Sequence, residues 1–250
     1  MKKMSNLIKI LIIIAIVLLL IELSIEIYQF LNLCSIFKNK FYGNKYGEYV
    51  RQIQNVECGV TPEIPIKKYL YYKKEMVGAI SGDILILKGS STILDAVKDI
   101  EVEKKNLKHI GGVQDGSRQM VDVIITQIQG YKINYITGWS LGAMIGIQIA
   151  LHIYDTTGNK TKNIFFGLPP CVDKKYKEYY NSRLYDSTVV YNNDRDPLAY
   201  PFFGNNILSK TFNNKLFGYY HVGKVYSSYP YTNYYKTHFF SMASYHLSYF

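Results

Sequence analysis

Residues 133–153 read INYITGWSLGAMIGIQIALHI, and the fold turns on how this stretch is parsed. Ile133 to Thr137 is a short run rich in β-prone side chains. Gly138 to Gly142 spells G-x-S-x-G, and Ala143 to Ile153 is a run of small and apolar residues suited to a buried helix. A strand, a pinched turn and a helix in that order put Ser140 at the carboxyl edge of a sheet. Its backbone is then strained, and a glycine two residues to either side lets the chain pass close. The hydroxyl stands at a helix N-terminus, where the dipole and free N–H groups favour negative charge. The N–H of Leu141 is aimed at the same spot and can bind a developing oxyanion. A chance glycine-serine turn is the bland alternative; the flanking strand and helix argue against it.

Outward from this turn the pattern alternates. Val77 to Leu87 reads as two apolar strands around a Ser81-Gly82-Asp83 turn. Ile93 to Ile100 and Met120 to Ile128 have helical spacing. Asn163 to Phe166 and Ser187 to Tyr191 read as strands, each closed by turn residues (Gly167 to Pro170, Asn192 to Asp194). Alternation of this kind predicts an α/β protein: a central, mostly parallel sheet flanked by helices. Phe37 to Glu75 reads as helix fragments and loops leading in. The Tyr-rich end, Tyr219 to Tyr249, reads as irregular but ordered.

A chain of 250 residues with 48% hydrophobic content supports one sizeable core, or at most two small ones, and is not a disordered polymer. Cysteines at 34, 58 and 171 form no paired framework and no C-x-x-C, so neither a disulfide scaffold nor a zinc ribbon is expected. The net charge of +10 comes mostly from scattered lysines. Such diffuse charge favours general attraction to anionic surfaces over nucleic-acid readout, and the tyrosines are not interleaved with arginines, so no nucleic-acid partner is expected. At the N-terminus Lys2 and Lys3 precede an apolar run from Leu7 to Ile21 that only Lys9 interrupts. Extended to Ile25, it nears the roughly 20 residues that span a bilayer. The reading is a single signal-anchor helix with its basic end in the cytoplasm. A cleaved signal peptide, leaving the rest secreted, is the alternative, although no small-x-small site follows Ile21. A buried helix comes third.

A serine needs a base. The histidines are 109, 152, 221, 238 and 246. Folds built on this turn run nucleophile, acid, histidine along the chain, which excludes His109. His152 lies twelve positions along the serine's own helix. His221, His238 and His246 stay open. The carboxylates in between are Asp155, Asp173, Glu178, Asp186, Asp194 and Asp196, and the last two are best placed because they follow a strand end directly.

Taken in order, several blocks resemble the class 3 lipases, the fungal-type triacylglycerol lipases, from about Met76 to Phe250. Lys88-Gly89-Ser90-Ser91-Thr92-Ile93, ahead of Asp99, resembles the family's R-G-[ST]-x-S-x…D-L block. His109 to Gly112 resembles V-H-x-G-F, Thr137 to Ala143 resembles T-G-H-S-L-G-G, and Phe166 to Pro170 resembles F-G-x-P-R. Asn193-Asp194-Arg195-Asp196-Pro197 resembles the N-x-x-D loop, Phe217 to Gly223 the F-G-Y-x-H-x-G, and His246 to Phe250 the closing D-H-x-S-Y. The resemblance implies an α/β-hydrolase-like fold with Ser140 as nucleophile, His246 as general base and then acid, and Asp196 as the triad acid; the strand count alone would favour Asp194. It implies that Ser90 joins Leu141 in the oxyanion hole. It also implies that Ser91 to Ile100 is a lid, whose apolar side holds Ile93, Leu94, Val97 and Ile100. His221 matches the family's non-catalytic histidine, and His238 has no counterpart. Four positions depart from the pattern: Lys88 and Pro170 where arginine is usual, Trp139 for histidine, and Tyr245 for aspartate.

The expected organisation is an anchor over 1–30, a linker with leading helices over 31–75 and a lipase-like α/β-hydrolase domain over 76–250. The expected activity is hydrolysis of carboxylic esters of lipids, acylglycerol or phospholipid, through an acyl-enzyme. The expected partners are a lipid ester and a membrane, and no metal or organic cofactor is needed. A lipase fold with a dead triad, acting as a membrane-bound lipid-binding module, is the alternative.

Overall fold

The computed structural model describes residues 45–89, 104–107, 110–192 and 218–227. Seven strands form the main sheet: β1 (Lys68–Tyr72), β2 (Glu75–Ser81), β3 (Ile84–Leu87), β6 (Tyr135–Trp139), β7 (Lys162–Phe166), β8 (Thr188–Asn192) and β9 (Lys224–Ser227), side by side in that order. β1, β2 and β3 form an antiparallel meander; from β3 to β9 every neighbouring pair is parallel. A separate antiparallel pair, β4 (Lys104–Leu107) and β5 (Gly111–Gln114), lies off the sheet. The helices are α1 (Lys45–Asn55), α2 (Asp115–Ile128), α3 (Leu141–Thr157) and α4 (Lys174–Leu184). The expected α/β class and central, mostly parallel sheet are thus observed.

The two-residue period of the strands divides the core. Leu85, Leu87, Ile136 and Phe165 face a large cluster with Val121 and Ile124 of α2, Ala143 and Ile147 of α3, and Tyr176 and Tyr180 of α4. Ile86, Trp139 and Phe166 face the other way, onto Val50 and Ile53 of α1. α3 runs through the larger layer with Leu141 to Leu151 all buried, as its almost wholly apolar sequence requires. Its one long polar side chain in that stretch, Gln148, donates to Ser117 Oγ of α2 at 2.8 Å.

Several boundaries move. The helix read from Met120 begins at Asp115, and the strand read over Ile133–Thr137 is shifted two residues on. The leading stretch before Glu75 holds more order than helix fragments and loops: α1 covers one face, and β1 pairs with β2 from Lys68↔Ile80 to Tyr72↔Glu75. At this sheet margin the Gln127 side chain takes the place of a strand. Its Oε1 accepts from Tyr71 N–H at 3.0 Å, and its Nε2 donates to Tyr71 C=O at 2.6 Å.

The cysteines need correction too. Cys58 is disulfide-bonded, and because Cys171 is free, its partner lies outside the described residues. A single bridge leaves no trace in cysteine spacing, so the pattern alone could not announce it. Cys171 is fully enclosed, and burial pushes its thiol well above the ordinary value. It is expected to resist iodoacetamide in the native protein and to react only on unfolding, as read by peptide mass mapping. Among the described residues no helix is long and apolar enough to cross a membrane. The expected anchor over 1–30 and the helix read over Ile93–Ile100 lie outside them, as does most of the Tyr-rich end.

Candidate active site

β6 ends at Trp139 and α3 starts at Leu141, so one residue makes the whole turn. That residue, Ser140, has φ 51° and ψ −119°. A side chain held at positive φ costs of order 1–3 kcal/mol and persists only where its surroundings enforce it. Three backbone hydrogen bonds do so here. Ser140 N–H donates to Phe166 C=O of β7 at 3.0 Å, and Ser140 C=O accepts from the N–H groups of Ala143 (3.0 Å) and Met144 (3.1 Å). With the serine carbonyl used by the helix, Leu141 N–H stands in the first turn, where helical amides have no partner within the helix. The residue is 7% exposed.

The two motif glycines are required by contact. A Cβ on Gly138 would lie 2.7 Å from the carbonyl carbon and oxygen of Gly142. A Cβ on Gly142 would run into the carbonyl oxygen of Leu87 and lie 2.5 Å from that of Lys88. The first turn of α3 therefore rests directly on the exit of β3. Beyond that exit, Gly89 lies under the Trp139 indole, whose Cζ3 would be 2.7 Å from a Cβ at this position. Trp139 is buried with Ile86 and Phe166 on the α1 side, so its ring is a fixed wall beside the serine.

Strand direction sorts the remaining candidates. β6, β7, β8 and β9 are parallel, so Trp139, Phe166, Asn192 and Ser227 all end on one edge of the sheet. Asn192 is buried, and its Nδ2 donates to Leu168 C=O at 3.1 Å, which pins the root of the following segment to the exit of β7. That root lies two strand spacings from the serine strand, about 10 Å. His221 precedes the start of β9 and so sits by the opposite edge. His152, within α3, has its imidazole held below the ordinary value by burial and then by Arg118.

Four of the six carboxylates have other duties. Asp173 caps α4, accepting from Tyr176 N–H at 2.8 Å, and also accepts from Gly112 N–H at 2.6 Å. Asp155 faces Arg183 at 3.6 Å, and Glu178 faces Lys174 at 3.8 Å. Asp186 meets Lys224 at 2.9 Å, and that hydrogen-bonded ammonium holds its carboxyl below the ordinary value. Asp194 and Asp196 lie outside the described residues, as do Ser90, His238, His246 and the lid positions Ile93, Leu94 and Val97. Of the expected site residues, Ser140 and Leu141 are thus described, side by side on the turn. Inspection of the sequence missed the pairing of Lys88 Nζ with Glu57 Oε1 at 2.6 Å, which joins residues 31 positions apart. The departure at Lys88 was its only sequence signal.

Comparison with known proteins agrees with this geometry. The family model described as Lipase (class 3) matches residues 86–206. No curated protein sequence matches the chain. Among solved structures, the triacylglyceride lipase of Rhizomucor miehei is 17% identical, with a TM-score of 0.53 over 80% of each chain. The Lip2 lipase of Yarrowia lipolytica is 14% identical, with a TM-score of 0.54 over 75% of this chain and 79% of its own. The lipase of Rhizopus microsporus var. chinensis is 14% identical, with a TM-score of 0.54 over 80% of this chain and 75% of its own. At such identities the structural likeness speaks for the fold. The chain is thus similar in sequence to the class 3 lipases over residues 86–206, and it shares the α/β-hydrolase fold of fungal triacylglycerol lipases.

Proposed function

We infer that the protein is a serine hydrolase that cleaves carboxylic esters of lipids, with Ser140 as nucleophile. One observation carries the reading: Ser140 is held at φ 51° on a one-residue bend between β6 and α3, at a helix N-terminus. Strain of this kind is maintained where it serves a reacting group. In the proposed cycle the Ser140 hydroxyl attacks the ester carbonyl carbon while His246 takes its proton. Asp196 steadies the imidazolium, with Asp194 as the alternative acid, and both follow the β8 exit on the serine's edge of the sheet. Leu141 N–H and the N–H of Ser90 receive the oxyanion. Collapse expels the alcohol, protonated by His246, and water then releases the fatty acid from Ser140.

The proposed substrate is an acylglycerol or phospholipid, reached by a lid over 91–100. The basic balance of the chain supports an anionic membrane surface as its setting, at about 1 kcal/mol per lysine close to the bilayer. A disulfide at Cys58 favours an oxidising compartment, so the proposed location of the domain is outside the cytoplasm, tethered by the helix over 1–30 or secreted after its cleavage. The test is Ser140→Ala in the full chain, assayed on a short-chain p-nitrophenyl ester, triacylglycerol emulsion and phospholipid vesicles. Hydrolysis is expected to fall by about 10⁴-fold or more with the fold intact. Unchanged turnover would remove Ser140 from the chemistry.

A further inference from the structure

Lys88 is 5% exposed, and its Nζ lies 2.6 Å from Glu57 Oε1. An ammonium so deeply enclosed needs a charged partner held in place. Glu57 is held on both sides. It lies in the 3₁₀ turn Val56–Cys58 that follows α1, and its neighbour Cys58 is disulfide-bonded. Alternation along β3 puts Lys88 on the same side as Ile86, the side that α1 covers. The backbone of Lys88 meanwhile touches the nucleophile turn, since its carbonyl oxygen would be 2.5 Å from a Cβ on Gly142. Gly89, next along the chain, is trapped under Trp139.

The β3 exit is therefore held from two directions: Gly142 and Trp139 of the serine turn on one, and the Glu57 carboxylate on the other. We propose that the Glu57–Lys88 pair is a positioning device for the proposed reaction. It fixes the Lys88–Gly89 backbone against the serine turn, at the root of the segment that carries the oxyanion donor proposed at Ser90. The proposal rests on the serine-hydrolase reading above. Neither side chain touches substrate; both act through the backbone that carries the donor. An oxyanion donor works by being in place before charge develops, so loosening it lowers turnover and leaves ground-state binding alone.

The test is steady-state kinetics of the full chain on a p-nitrophenyl ester, with melting temperature read in parallel. Glu57→Gln and Lys88→Met are each expected to lower kcat about 10-fold with KM within about twofold, the pattern of a contact that matters only in the transition state. Lys88→Arg, which keeps the charge, is expected to recover most of the lost kcat. The double variant Glu57→Gln/Lys88→Met removes both charges of the pair at once. It is expected to regain melting temperature while kcat stays low. Wild-type kcat in both single variants would overturn the proposal, as would a double variant whose kcat returns with its stability. Ser140→Ala runs beside them. If it is inactive and Glu57→Gln is unaffected, only the role of the ion pair is lost; if it turns over normally, the serine reading itself is lost.

Discussion

Ser140→Gly is expected to give a protein that is inactive and harder to melt. Loss of the hydroxyl removes the nucleophile, and activity on any ester should fall by about 10⁴-fold or more. Stability should move the other way. The serine sits at φ 51°, ψ −119°, a conformation that side chains avoid and glycine adopts freely. Relief of this strain is worth about 1–3 kcal/mol, against which the extra freedom of glycine in the unfolded chain costs about 0.5–1 kcal/mol. The net gain of roughly 1 kcal/mol corresponds to about 2–4 °C in melting temperature for a chain of this size. Ser140→Ala keeps the Cβ and with it most of the strain, so it should be inactive without that gain. Calorimetry of the three proteins side by side decides the point; a glycine variant that melts below the alanine variant would show that the bend stores no strain.

The second large effect concerns Gly142→Ala. The new methyl would meet the main-chain carbonyls of Leu87 and Lys88, and neither can turn aside as a flexible side chain could. Either the β3 exit or the first turn of α3 must shift, and both border the reacting serine. A displacement of about 1 Å at such a site costs on the order of 100-fold in rate. Overpacking against rigid backbone adds about 1–3 kcal/mol of instability. Gly130→Ala is the control. Gly130 has φ 82° with open space around its Cα, so its alanine should cost about 1 kcal/mol of stability and no activity. Equal kcat in the two variants would mean that the β3 exit and the serine turn tolerate separation.

What could be read from the sequence, and what could not, follows from the range of the interactions. The serine turn was legible because its determinants lie within one continuous stretch, 133–153: a strand, two glycines and an apolar helix. The strands β2, β3, β7 and β8 were legible because a buried parallel sheet writes itself as short apolar runs. β1, with the sequence KYLYY, was not, since as a margin strand it keeps lysine and tyrosine on half-buried or exposed positions and buries only Leu70. α4 was missed for a related reason. Its buried stripe is Tyr176, Tyr180 and Leu184, four residues apart, but lysines and further tyrosines fill the gaps and blur the contrast between faces. Asp155, Asp173, Glu178 and Asp186 could not be separated from Asp194 and Asp196 by inspection. Their duties as helix cap and ion-pair partners depend on Gly112, Arg183, Lys174 and Lys224, and all but Lys174 come from other elements. The Glu57–Lys88 pair belongs to the same class: it exists only once α1 has docked on the sheet.

The Gln127 amide on Tyr71 matters to more than local bonding. A bare margin strand offers a row of amides and carbonyls on which another copy of the chain can register. One carboxamide, supplied from α2, occupies the middle of that row in the geometry of a peptide group. With this plug in place, two copies that meet margin to margin find the row interrupted and have no continuous template on which to extend into ribbons.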